Sequence, residues 1–186
     1  MDRFYDITVA GVKRRLPICR VNDQLYIAAF VIFGDVELTV RSAEALLKKA
    51  PPFDVMITAE SKGIPLIHEM AKQCGQNKYL LARKAPKLYM KDAEGIDVKS
   101  ITTEKKQTLY IDAGDLEYMR GKRVLIIDDV ISTGESLSAL ETIVRHGGGK
   151  IAGKMAILAE GDARDREDIR YLEYLPVFNE DGTILE

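Results

Sequence analysis

The 186-residue sequence has no tryptophan, only two cysteines, and aromatic residues at just 7%. Cys19 and Cys74 stand far apart and outside any Cys-x-x-Cys or Cys/His spacing. That argues against a disulfide framework or a zinc site and favours a reducing, cytoplasmic setting. Long apolar runs are missing too: nothing approaches the ~18 consecutive apolar residues of a membrane helix. The opening MDRFYDITVAGVKRRL carries charges throughout and does not read as a signal peptide. Nor is there an excess of positive charge. With 27 basic and 29 acidic residues the net charge is −2, so no global field recruits nucleic acid or an anionic membrane. An anionic ligand must be held by a local site.

What is present is ordinary for a globular protein: 46% hydrophobic and 30% charged residues. The length suits one domain with a sizeable core. Residues 5–33 read as short strands and turns, with Asn22-Asp23 a hairpin corner between Ile18 and the run Leu25–Phe33. Over 39–49, Val40, Ala43, Leu46 and Leu47 share a helical face; Thr39 is a candidate cap and Pro51-Pro52 a stop. Strand-like runs follow at Val55–Ala59, Lys78–Ala82, Val124–Ile127 and Ile151–Leu158. Helices are expected at Ile64–Cys74 and Leu137–His146, and a last strand at Leu172–Phe178. This alternation predicts an α/β fold with a mostly parallel central sheet flanked by helices. In such sheets ligands bind beyond the carboxyl ends of the strands, where 60–63, 83–87 and 128–136 should converge.

The densest chemistry lies in Val124–Leu137, VLIIDDVISTGESL. An apolar strand runs into Asp128 and Asp129, then into the small-residue loop Ser132-Thr133-Gly134, with Glu135 and Ser136 opening a helix. Exposed amides and hydroxyls at a helix start make a pocket for a phosphate dianion, and Gly134 lets backbone approach closely. The carboxylates suit a sugar diol, each charged acceptor strengthening a hydroxyl bond to about 1.5–3 kcal/mol. On spacing alone, the segment reads equally well as an ordinary capped helix start.

The segment resembles the 5-phosphoribosyl-1-pyrophosphate (PRPP) signature of type I phosphoribosyltransferases, departing from it at Glu135, where glycine is common. The resemblance implies that Ser132, Thr133, Gly134, Glu135 and Ser136 bind the 5′-phosphate, with Glu135 giving its amide and turning its side chain outward. Asp128 and Asp129 are implied to fix the ribose, directly or through the waters of a bound Mg²⁺. Glu60, Ser61, Lys62 and Gly63, by themselves more often a solvated turn, are similar to the pyrophosphate loop of adenine-type members. Arg83, Lys84 and Lys87, by themselves a basic turn, resemble a basic motif that meets pyrophosphate, often in a neighbouring subunit. Residues 84–110 would then be a mobile lid, in which Ser100, Thr102 and Thr103 read as hairpin surface. A small β-rich hood from about 5–33 plus 171–186 would complete a domain spanning 1–186, with its core at about 39–160.

The implied reaction is transfer of phosphoribosyl from PRPP to a purine base, giving a nucleoside monophosphate and pyrophosphate in purine salvage. A homodimer is implied as well. The loop motifs favour adenine. The Glu-Tyr-Gly element frequent in adenine enzymes is missing, however, and VKSITTEKKQTLYI is similar to the xanthine-type and purine-repressor branch. A catalytically silent PRPP sensor is the alternative of another class; the N-terminal region carries no helix-turn-helix that would let it bind DNA. The remaining polar residues read as bland: His68 structural or exposed, His146 at a helix end, Glu160–Arg170 a solvated face. Tyr171, Tyr174 and Phe178 read as core rather than as base-stacking rings.

Overall fold

A computed structural model describes residues 3–98 and 107–185. Its centre is a five-stranded sheet of β4 (Val55–Ala59), β5 (Leu80–Ala82), β8 (Arg123–Ile131), β9 (Lys150–Glu160) and β10 (Arg170–Leu175). The strands lie in the order β10-β9-β8-β4-β5, and every neighbouring pair is parallel. Parallel strands are covered on both faces, so both sets of alternating side chains must be apolar. Val124 and Ile126 of β8 face one way, packing with Ile57 of β4, and Leu125 and Ile127 face the other. The first layer is closed by α3 (Ala113–Met119) and α4 (Glu135–His146), through Leu116, Met119, Leu140 and Ile143. The second is closed by α1 (Val36–Lys49) and α2 (Gly63–Gln73), through Leu38, Leu46, Leu66 and Met70.

The strand order reverses between β4 and β8. From β4 the chain crosses outward to β5, then returns to place β8 on the other side of β4. The loops leaving these two strands therefore diverge, and the crevice between them is where open α/β sheets take their ligands.

The second-layer core continues into an antiparallel sheet, ordered β1-β2-β3-β11, of β1 (Phe4–Val9), β2 (Val12–Arg20), β3 (Tyr26–Ala28) and β11 (Val177–Phe178). Ile7, Val9, Leu16, Ala28, Phe30 and Ile32 pack against α1 and α2 as part of that core. The corner at Asn22 forms as expected: its side-chain oxygen accepts from the amides of Gln24 and Leu25, both at 2.9 Å. A third pair, β6 (Glu94–Val98) and β7 (Gln107–Ile111), forms a hairpin within the expected lid. It is tied to the end of α4 by His146 and Glu94 at 2.6 Å. Ser100, Thr102 and Thr103 lie outside the described residues.

Three expectations need correcting. The segment 171–186 does not belong wholly to the hood, because Arg170–Leu175 pairs in parallel with β9 at the edge of the central sheet. Pro176, which has no N–H to give a ladder, separates it from the two residues that cross to β3. Leu25–Phe33 is strand only over Tyr26–Ala28. The cap of α1 is Asp35 rather than Thr39: its carboxylate accepts from Leu38 N at 3.1 Å, while Thr39 Oγ1 donates back to Asp35 O.

Asp35 also receives two bonds from Arg14 of β2, at 2.6 and 2.8 Å, so one carboxylate caps a core helix and tethers the hood. Replacing Asp35 with Ala should cost about 1 kcal/mol, a typical capping value. Half-exposed ion pairs add little to that. The measurement is the urea midpoint: it should fall with an unchanged m-value, and a midpoint equal to the parent's contradicts the assignment.

Candidate active site

Strand β8 remains in the sheet through Ile131, so Asp128 and Asp129 sit on its carboxyl-terminal end rather than in a loop. Both are buried, at 6% and 3% exposure, yet both line the same open cleft of about 340 Å³. The cleft is walled by Ser61 and Lys62 after β4, Ser132 and Ser136 after β8, Glu160 at the end of β9, and hood residues 27–31. This is the crevice created by the reversal in strand order.

Asp128 Oδ1 accepts from the amide of Asp129 at 2.9 Å and more weakly from Ser61 Oγ at 3.4 Å. Burial first, and then the charge of Asp129, push its carboxyl well above the usual carboxylate range, to about 7. Asp129 Oδ2 lies 3.3 Å from Lys62 Nζ. That proximity is electrostatic only, since the oxygen is buried without a hydrogen-bond donor. Lys62 Nζ gives its hydrogen bond instead to Phe30 O, at 2.7 Å, joining the loop after β4 to the hood. Gly63 makes this closeness possible, because a Cβ there would stand 2.8 Å from Thr58 Oγ1 and 3.4 Å from Asp128 Oδ1.

Beside the cleft, Asp128 and residues 130–137 line a hollow of about 120 Å³. Gly134 precedes α4 with φ +79°, and α4 has no side-chain cap, so its first-turn amides face the hollow without competition from a capping side chain. A Cβ on Gly134 would also collide with the guanidinium of Arg166. Glu135 is half-buried at the rim rather than exposed.

The basic segment is arranged differently. Glu60 Oε1 pairs with Arg83 at 3.1 Å and Lys87 at 3.6 Å, while its Oε2 accepts from the amide of Lys84 at 3.0 Å. The amide bond, ahead of the cations, holds the Glu60 carboxyl below its ordinary range. Arg83 is fixed further by Tyr89 Oη at 2.7 Å and by paired backbone bonds to Tyr110. Glu60 is thus a post that shapes the loop 83–87. Arg83, Lys84 and Lys87 are gathered there and do not line the cleft of the aspartates.

Two residues at this end of the sheet were missed by sequence reasoning, which placed both on a solvated face. Glu160 ends β9 inside the cleft, and Arg166 packs on Gly134. Glu160 was findable, since it is the last residue of a buried parallel strand. Of the three tyrosyl and phenylalanyl candidates, Phe178 is core, stacked edge-on to Tyr5 at 5.3 Å. Tyr171 packs against the first-layer core, and Tyr174 lines a cavity beside the cleft.

The cleft collects Asp128, Asp129 and Glu160 around one lysine, which leaves it short of positive charge. Among the described residues no group of three acidic, histidine or cysteine side chains forms a metal cage. Two adjacent carboxylates, one with a bare buried oxygen, fit Mg²⁺ that arrives on a substrate's phosphates and keeps most of its waters.

The phosphoribosyl transferase domain model matches residues 42–181. Adenine phosphoribosyltransferase of Cenarchaeum symbiosum is 32% identical over 140 residues, covering 70% of this chain and 78% of that protein. Hypoxanthine/guanine phosphoribosyltransferase of Methanosarcina mazei is 30% identical over 109 residues, 59% of this chain and 53% of the relative. Among solved structures, adenine phosphoribosyltransferase of Thermoanaerobacter pseudethanolicus superposes with a TM-score of 0.64 at 23% identity, covering 77% of this chain and 84% of that one. That last likeness bears on the fold.

The raised carboxyl gives a signed prediction. The folded protein holds the Asp128 proton more tightly than the unfolded chain, so stability is present at low pH and lost as pH climbs from the ordinary carboxylate range through about 7. Asp128→Asn removes that loss. In ligand-free buffer with EDTA it should melt near the parent at pH 4 and ~5 °C above it at pH 8. A variant that melts lower than the parent at pH 8 would contradict the assignment.

Proposed function

The chain belongs to the phosphoribosyltransferase family, and from that premise we propose that it transfers the phosphoribosyl group of PRPP to a purine, with adenine as the acceptor. The observation that carries this reading is the meeting of two buried carboxylates, a lysine and an uncapped helix start at the reversal between β4 and β8. A ribose 5-phosphate needs those groups in that order.

In this reading the amides and hydroxyls of residues 132–136 hold the 5′-phosphate, a group remote from the reacting carbon whose binding energy fixes orientation. Asp128 and Asp129 accept hydrogen bonds from the ribose hydroxyls. Displacement of pyrophosphate from C1 by a ring nitrogen breaks the C–O bond ahead of the new C–N bond, so positive charge builds on the sugar and negative charge on the leaving group. The proton of the base's ring N–H passes to solvent or to the departing pyrophosphate. Ser61, Lys62 and the amide of Gly63 receive the leaving group. Arg83, Lys84 and Lys87, held by Glu60, supply positive charge along its path or in a partner's site. Glu60 acts by positioning, since its own charge would repel pyrophosphate. Mg²⁺, held by Asp128 and Asp129 together with substrate oxygens, would neutralise pyrophosphate charge.

The protein works as a homodimer in this reading. The exposed Leu88 and Tyr89, next to the basic segment, supply apolar surface that a second copy would cover. A cytoplasmic site suits its two free, exposed thiols. No described helix is long and apolar enough to cross a membrane.

The assay supplies PRPP, Mg²⁺ and one base at a time from adenine, hypoxanthine, guanine, xanthine and orotate, and measures nucleotide and pyrophosphate. AMP and pyrophosphate should form in equal amounts, and excess EDTA should stop turnover. Asp128→Asn combined with Asp129→Asn should lower the rate by about 100-fold or more while melting cooperatively, the scale of losing preorganised polar groups at a reacting centre. PRPP that raises the melting temperature with no product from any base would establish a sensor instead.

A further inference from the structure

Glu160 has an environment that the groups assigned so far leave unexplained. It is the last residue of β9, in register with Leu175 of β10, and its side chain borders two cavities at once. One is the cleft of Asp128, Asp129 and Lys62. The other, of about 390 Å³, lies toward the hood and is walled by Leu25, Ile27, Tyr174 and Val177. The cavities share Ile27 and Ser132, so the second opens from the sugar's position toward a largely apolar space with one aromatic ring, Tyr174, over which the exposed Arg164 lies. A flat heterocycle on C1 of the sugar would enter it.

Within that space Glu160 is the half-buried acid. Asp162, on the same wall, is exposed. Burial raises the Glu160 carboxyl above its ordinary range, opposed only by the charge of Lys62, and no described residue gives it a hydrogen bond. A desolvated acceptor without a donor is costly unless a ligand brings one. We propose that Glu160 is the residue that reads the base, its carboxylate accepting an N–H from the exocyclic amino group of an aminopurine. An ionised carboxylate only accepts, so a 6-oxo group at the same place would set lone pairs against it. The residue thereby selects amino over oxo purines.

This inference rests on the proposed transferase reading. The test measures kcat and KM for adenine, hypoxanthine and PRPP at pH 8 in the parent, Glu160→Ala and Glu160→Gln. Glu160→Ala should lower kcat/KM for adenine by about 10- to 100-fold, the range expected for one charge-assisted hydrogen bond, mainly through KM for the base. KM for PRPP should stay within about twofold. Glu160→Gln, which keeps the shape and adds an N–H that can meet a 6-oxo group, should lower the adenine-to-hypoxanthine preference by about tenfold or more. If Glu160→Ala does not fold, the Gln variant carries the test. A preference unchanged in Glu160→Gln, or a KM for PRPP that rises as much as that for adenine, overturns the assignment of Glu160 alone. A parent protein that makes no nucleotide from any base overturns the transferase reading with it.

Discussion

Two carboxylates side by side on a buried strand, with one lysine between them and the hood, set the terms for the rest of this molecule. Asp128 and Asp129 are removed from water, and the protein compensates them incompletely: a weak bond from Ser61, an amide from the same strand, and Lys62 at 3.3 Å. Buried charge without full pairing is expensive and persists where the surrounding packing over-determines it. Here the neighbouring strands are apolar on both faces, so β8 cannot turn its end outward without exposing Ile126 or Ile127. A cationic or hydroxyl-rich ligand would relieve that cost. The site is held in readiness by the sheet that surrounds it.

The same interaction joins the two sheets. Lys62 bonds Phe30 O and faces Asp129, so the charge that balances the cleft also fixes the hood above it. Asp35 repeats the device on the far side, capping α1 and binding Arg14. The placement of hood residues 27–31 over the strand ends, and so the shape left for a base, depends on both ties. Glu60 has a comparable role at the neighbouring loop, where a single carboxylate gathers Arg83, Lys87 and the amide of Lys84.

Much of this was legible in the sequence wherever local pattern and tertiary context agree. The apolar runs of β4, β8 and β9 suited buried strands, their alternation with helical stretches argued for a parallel sheet, and the small-residue turn after Asp129 suited a helix start. What escaped depended on distant contacts. Arg170–Leu175 has the composition of a hood strand, and its place beside β9 is set by pairing that no local signal encodes. Thr39 looked like a cap because it starts the periodic stretch, but Asp35 takes that role by accepting from Leu38 N, and Arg14, 21 residues earlier, holds the same carboxylate. The short helix α3 was hidden because seven residues give too little periodicity to notice. Glu160 was hidden by the charged run that follows it, although its position at a strand's carboxyl end marked it.

The most direct test is to see PRPP with Mg²⁺ bound to the crystalline protein. The account requires the 5′-phosphate on the amides of residues 132–136 and the ribose hydroxyls within hydrogen-bonding distance of Asp128 and Asp129. Density for the sugar phosphate at any other place on the surface, with those carboxylates untouched, would contradict it.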